Sequence, residues 1–126
     1  MASETLHEDP DKLGPEVVDH HRAIVSLMEE LEAVDWYDQR AKATANAELR
    51  AILEHNRDEE KEHAAMALEW LRRSDPKMDE HLRTFLFKKG PITGIEANMR
   101  KDGDDGAAAS ADGSLGIGSL RRKPDR

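Results

Sequence analysis

Nine residues near the middle of the chain, His55-Asn56-Arg57-Asp58-Glu59-Glu60-Lys61-Glu62-His63, restrict the fold more than any other stretch. They read as helix, and they carry Glu60-x-x-His63. On a helical wheel of the segment from Ala45 to Leu71, the residues Leu49, Ile52, Leu53, Ala64, Ala67, Trp70 and Leu71 share one face. Glu60 and His63 fall in the middle of that face. An unpaired carboxylate there would cost several kcal/mol, comparable to the stability margin of a whole domain. A cation held between Glu60 and His63 removes that cost. The constraint is therefore where the remaining ligands come from.

A second long helix supplies one. Pro15 suits the first position of a helix, and Glu16 suits a first turn that favours acids. Val17, Ile24, Leu27, Met28, Leu31 and Val34 form an apolar stripe, so a first helix is expected from about Pro15 to about Thr44. Glu30 lies on the flank of that stripe, among Ala23, Leu27, Val34 and Tyr37, while Glu29, Glu32 and Trp36 point the other way. The connection is weakly marked, since residues 41–49 hold no Pro or Gly. Asn46 is the best N-cap, giving a second helix from about Asn46 to Arg73. Two long helices joined by a short connection make an antiparallel hairpin. Ser74-Asp75-Pro76 ends it and begins a short amphipathic third helix, with Met78, Leu82, Phe85 and Leu86, that stops near Lys89-Gly90-Pro91.

The segments outside this core read differently. Residues 1–14 are polar and aperiodic, a flexible arm. Residues 15–89 form the helical domain. From Pro91 the apolar period fails, and residues 90–113 have the composition of a linker. A small apolar island, Leu115-Gly116-Ile117-Gly118-Ser119-Leu120, then lies within a tail at 114–126.

Composition narrows the chemistry. The chain has 126 residues, a formal charge of −8, 37% charged and 4% aromatic residues, and no cysteine. The charge disfavours nucleic acid and anionic membranes and suits a protein that collects cations. Thiolate zinc and iron–sulfur ligation are excluded. The start, Met1-Ala2-Ser3-Glu4, has neither the basic nor the apolar region of a signal peptide, and no apolar run reaches the roughly 20 residues of a membrane span. A soluble intracellular protein is expected.

One Glu on the first helix and Glu-x-x-His on the second make half of the di-iron carboxylate pattern, which uses two single glutamates and two Glu-x-x-His pairs on four helices. About 75 periodic residues also make a core worth no more than about 3–5 kcal/mol. One remedy answers both deficits: two hairpins pack across a two-fold axis into a four-helix bundle. The shared site holds Glu30, Glu60 and His63 from each chain. Four carboxylates and two imidazoles favour iron or manganese over calcium and structural zinc. The plainer alternative pairs Glu60 and His63 with Arg57 or Lys61 at an oligomer interface. His55, Glu59 and Glu62, on the next face of the second helix, form either a weak cation site or a solvated surface. Glu29, Glu32 and Trp36 form either an acidic entrance or ordinary surface. Tyr37 either reaches the metals as a donor or redox-active group, or packs in the core.

The segments Ile24-Val-Ser-Leu-Met-Glu-Glu-Leu-Glu-Ala-Val-Asp-Trp-Tyr37 and Ala51-Ile-Leu-Glu-His-Asn-Arg-Asp-Glu-Glu-Lys-Glu-His-Ala-Ala-Met66 resemble the two helices of the bacterial encapsulated ferritins. The resemblance spans about Leu6 to Phe87, and no position that the motif requires departs from it. It implies an all-α fold, an antiparallel hairpin plus a short C-terminal helix that dimerises into a four-helix ferritin-like bundle, with the dimers assembled into a ring-shaped decamer. It implies a ferroxidase whose two iron ions per dimer interface sit on Glu30, Glu60 and His63, with Tyr37 adjacent. Glu29, Glu32 and Trp36 then correspond to the metal entrance. His55, Glu59 and Glu62 correspond to a peripheral cation site for which calcium is a candidate.

Leu115-Gly-Ile-Gly-Ser-Leu120-Arg-Arg resembles the short peptides that dock cargo into encapsulin shells, with Leu115, Ile117 and Leu120 filling apolar pockets. Bacterial cytoplasm, inside an encapsulin nanocompartment, is the implied location. The competing expectations are a metal-glued structural assembly and a cargo adaptor, both without turnover.

Overall fold

The computed structural model describes the backbone of residues 5–106 and the side chains of residues 5–99. Four helices follow one another: α1 (Pro10–Ala43), α2 (Ala47–Ser74), α3 (Pro76–Phe85) and α4 (Ile92–Gly106). Among the described residues all regular structure is helical. The tail residues Leu115, Ile117 and Leu120 lie outside the described part.

α1 begins earlier than the apolar period suggests. Asp9 caps it, its carboxylate accepting from the Asp11 N–H at 2.9 Å, and Pro10 takes the first position. Gly14, at φ 82°, ψ 162°, then interrupts the helix. Only glycine adopts that backbone readily. Pro15 restarts the helix behind it, so the expected start at Pro15 marks the second of two helical runs. The expectation of an aperiodic arm through residue 14 missed the short run before it.

α1 and α2 pack along their lengths as an antiparallel hairpin. Thr44, Ala45 and Asn46 connect them. Asn46 caps α2, its side chain accepting from the Leu49 N–H at 2.8 Å. Arg50 closes the turn. Its guanidinium donates to the carbonyls of Ala41 and Thr44, satisfying oxygens that the end of α1 leaves without helical partners. Two turns further along, Arg57 reaches across the hairpin to Asp38 at 2.9 Å.

The spacing of α2 resolves into two neighbouring stripes of alternating three- and four-residue steps. Leu53, Arg57, Glu60, Ala64, Ala67 and Leu71 face α1, and Ala64 and Leu71 are buried, as is Ala41 of α1. Beside them run Leu49, Ile52, Asn56, Glu59, His63, Met66 and Trp70. This second stripe is largely open to solvent, with Ile52 53% and Met66 58% exposed. Val17, Ile24 and Leu31 of α1 are similarly exposed. Burying the open half of one such side chain stabilises by about 1 kcal/mol. Four on α2 alone therefore rival the whole of what a core this small supplies, about 3–5 kcal/mol.

The described residues from 77 onward belong to a separate unit. In it, α3 is amphipathic through Met78, Leu82 and Phe85, and is braced by Arg83–Asp79 at 2.9 Å and Lys77–Glu80 at 3.0 Å. Phe87 follows at φ 61° and is fully exposed. Residues 92–106 are helical where composition suggested a linker. Ile92, Ile95 and Met99 keep helical spacing there, and the Ile95 N–H bonds back to the Pro91 carbonyl at 3.1 Å. The glycine- and aspartate-rich end of this segment hid that short repeat.

Asn46→Ala should lower stability by about 1 kcal/mol, with Asn46→Asp largely neutral, read from thermal or urea unfolding. Glu69 is bound by Arg72 and Arg73 at 2.7 Å each, which lowers its carboxyl to about 2. A depressed carboxyl stabilises above its unfolded value and loses that contribution as pH falls toward 2. Glu69→Gln should therefore flatten the decline in unfolding midpoint between about pH 4.5 and pH 2.

Candidate metal centre

Glu60 and His63 stand three residues apart on α2, so their side chains lie one above the other on one surface. Glu30 comes from α1, halfway along the hairpin. Packing brings the three together: His63 Nδ1 lies 2.9 Å from Glu60 Oε1 and 3.4 Å from Glu30 Oε2. One ligand atom from each of the three residues falls within 4.8 Å of the others. Among the described residues this is the group of histidine and acidic side chains at metal-ligand separations.

The group sits at the seam between the buried and the open stripe. Side-chain exposures are 27% for Glu30, 23% for Glu60 and 40% for His63. The carboxylates are thus partly withdrawn from water while the imidazole looks outward. Two unit charges about 5 Å apart, at an effective dielectric near 20, repel by about 3 kcal/mol. An ionised carboxylate accepts hydrogen bonds and donates none, so a hydrogen bond between His63 Nδ1 and Glu60 Oε1 requires the tautomer with its proton on Nδ1.

Within the chain, Arg57 and Lys61 pair with aspartates rather than with Glu60 and His63. Arg57 is engaged by Asp38 and by Asp58 at 3.0 Å, and Lys61 by Asp58 at 3.5 Å. Hydrogen bonding to these two aspartates raises the Arg57 guanidinium, and the same contact lowers Asp58. The basic residues nearest in sequence are therefore spoken for, and among the described residues the two glutamates share His63 between them.

The donor set fits a first-row divalent metal. Two hard carboxylates with one imidazole suit iron or manganese. Three protein donors from a single exposed face leave coordination positions open. Two carboxylates per chain also balance one divalent ion per chain.

The other sequence candidates lie apart from this group. Tyr37 is half-buried on α1, seven residues beyond Glu30, with the Arg40 guanidinium 5.5 Å from its ring centroid. Glu29 and Trp36 are exposed on the outer face of α1, and Glu32 is partly covered. His55, Glu59 and Glu62 are all exposed on α2. Trp70 escaped the reading as a site residue. It packs edge-on against His20 across the hairpin, with ring centroids 5.8 Å apart and planes at 77°. Its seven-residue step from His63 was the available signal.

Known proteins resemble this chain over most of its length. The family model described as EncFtn-like matches residues 5–89. The chain is 62% identical to the encapsulated ferritin-like protein of Rhodospirillum rubrum, over 96% of this chain and 91% of the relative. It is 49% identical to the ferritin-like protein of Thermotoga maritima, over 94% of this chain and 99% of the relative. The encapsulin nanocompartment cargo protein EncC of Myxococcus xanthus is 35% identical, over 78% and 81%. A protein of Nitrosomonas europaea with a crystal structure superposes with a TM-score of 0.67 at 59% identity, covering 69% of this chain and 96% of that one.

Glu60→Ala and Glu30→Ala should each weaken cobalt(II) binding, followed by its visible absorption, at least tenfold, while the helical circular dichroism is retained. Second-sphere changes alone typically lower metal affinity by 10- to 100-fold, so loss of a direct ligand should do no less.

Proposed function

The chain belongs to the EncFtn-like family, and on that footing we propose that it is a ferroxidase working as cargo of an encapsulin shell. The observation that carries this reading is the Glu30–Glu60–His63 group on an open apolar stripe. Half a ligand set on a surface that gains from burial calls for a second copy. A two-fold axis through the group supplies the other half and covers both stripes.

Iron is then substrate. Two Fe(II) bring four positive charges to the four carboxylates of the dimer. Each glutamate holds and charge-balances the pair, and His63 adds a nitrogen donor from each side. Each Fe(II) gives up one electron. Dioxygen with two protons leaves as hydrogen peroxide, or peroxide with two protons leaves as water. Fe(III) departs toward mineral. A hairpin encloses no storage cavity, so the mineral must collect within a surrounding shell.

The remaining assignments follow the family. Tyr37, seven residues beyond Glu30 on α1, serves the centre as a donor or redox-active group in the assembled dimer. Glu29, Glu32 and Trp36 form the acidic entrance. His55, Glu59 and Glu62 form a peripheral cation site suited to calcium by its carboxylates. Dimers close into a ring-shaped decamer. Leu115, Ile117 and Leu120 dock the tail into the shell, which places the protein inside a bacterial nanocompartment. The names of the relatives from Rhodospirillum and Myxococcus support the encapsulated setting. Among the described residues no helix is long and apolar enough to cross a membrane.

Anaerobic Fe(II) should bind at two ions per dimer and oxidise rapidly on admission of air. Glu30→Ala and Glu60→Ala should abolish that phase in stopped-flow absorbance. Metal-induced dimers with oxidation no faster than in buffer would instead indicate a structural ion. Deleting residues 115–122 should leave oxidation intact and abolish co-purification with the shell, and retained packaging would overturn the docking role of the tail.

A further inference from the structure

Arg57 is the cation best placed to spoil the metal centre. It stands three residues before Glu60, on the stripe of α2 that faces α1, so the two side chains are neighbours on the helix surface. Only 22% of the Arg57 side chain is exposed, and Glu60 is covered to the same degree. Lys61 follows Glu60 directly, and adjacent helical residues point to different faces, so it is the lesser threat. Arginine is also the more damaging residue type. Its planar fork takes both oxygens of a carboxylate at once. On Glu60 it would block the donor atoms and repel an incoming divalent cation.

Two aspartates draw the guanidinium elsewhere. Nη1 donates to Asp38 at 2.9 Å and Nε to Asp58 at 3.0 Å. Asp38 follows Glu30 by eight residues, about 12 Å along α1 toward the connection. Helical side chains lean toward their own N-terminus, which on α2 is the same direction. Arg57 thus reaches away from Glu60, and Glu60 meets His63 at 2.9 Å instead. Both aspartates are well exposed, so neither ion pair adds much to the stability of the hairpin. Stability alone is a weak reason for two acids on one guanidinium.

We propose that Asp38 and Asp58 are positioning residues of the metal centre: by holding the Arg57 guanidinium they keep Glu60 open to a divalent cation. The inference rests on the reading of Glu30, Glu60 and His63 as metal ligands, and it needs no partner subunit. A cation arriving at the site then has no arginine bridge to break before it binds. Neutralising the two aspartates frees Arg57 to turn to Glu60.

The test is a thermodynamic cycle on cobalt(II) affinity, read by visible absorption in the full chain. Asp38→Asn/Asp58→Asn should weaken binding about five- to tenfold, with the helical circular dichroism retained. Arg57→Gln should bind at least as tightly as the parent. Added to Arg57→Gln, the same two aspartate changes should cost only about two- to threefold, the share due to losing two nearby negative charges. A bridge that merely braced the hairpin would behave otherwise. Arg57→Gln breaks it as surely as the aspartate changes do, and would weaken binding with them.

Equal losses in the two backgrounds, or weaker binding in Arg57→Gln than in the parent, overturn the positioning role and leave the metal centre standing. So does unchanged affinity in Asp38→Asn/Asp58→Asn, the result if the freed Arg57 settles on Glu54, three residues before it. A parent chain that binds no cobalt(II), or binds it equally well as Glu60→Ala, sinks the metal centre and the proposal together.

Discussion

Two carboxylates and an imidazole gathered at the seam of an apolar surface set the terms for the rest of this structure. Glu30 and Glu60 approach His63 to 3.4 and 2.9 Å. Like charges that close, partly removed from water, are unfavourable without a positive partner. The arginine and lysine nearest in sequence are bound to aspartates instead. The fold thus holds its cation-seeking groups ready and directs its own cations elsewhere. Arg57 illustrates the division: it ties α2 to Asp38 of α1 and so helps set the register that brings Glu30 level with Glu60.

That register also explains why the hairpin looks unfinished. Three small or apolar side chains, Ala41, Ala64 and Leu71, are buried between the helices. Larger apolar residues, Ile52, Met66 and Trp70, line the outward stripe of α2 beside His63. A monomer would leave its most valuable apolar surface in water, with the candidate ligands Glu30, Glu60 and His63 at the edge of that surface. A second hairpin would cover the stripe and complete the ligand set in one step, which is why the proposed oxidation chemistry and the proposed dimer stand on the same residues. Thermodynamically the two are linked: whatever binds only the assembled site stabilises the assembly.

Much of this was legible in the residues. The spacing of Glu60 and His63 on a helical face, Asn46 as a cap and Ser74-Asp75-Pro76 as a break all rest on local rules, and α2 begins and ends where those rules place it, whereas α3 stops at Phe85, short of the expected Lys89-Gly90-Pro91. The misses are also local. The run from Pro10 was obscured by Gly14, and the Ile92–Ile95–Met99 repeat by the glycines and aspartates after it. Arg50 was illegible for a different reason. Its partners, Ala41 and Thr44, lie on the far side of a chain reversal, and no periodicity encodes a side chain that caps another helix.

By itself, then, the sequence determined the helices, their apolar faces and a Glu-x-x-His pair on one of them, because period, capping and charge act within a few residues. Tertiary structure alone decided that Glu30 stands level with that pair, that Arg57 and Lys61 turn away from it, and that Trp70 rests on His20. Those outcomes depend on the register between two antiparallel helices. Register is set by packing summed over the whole hairpin, which no short stretch of chain contains.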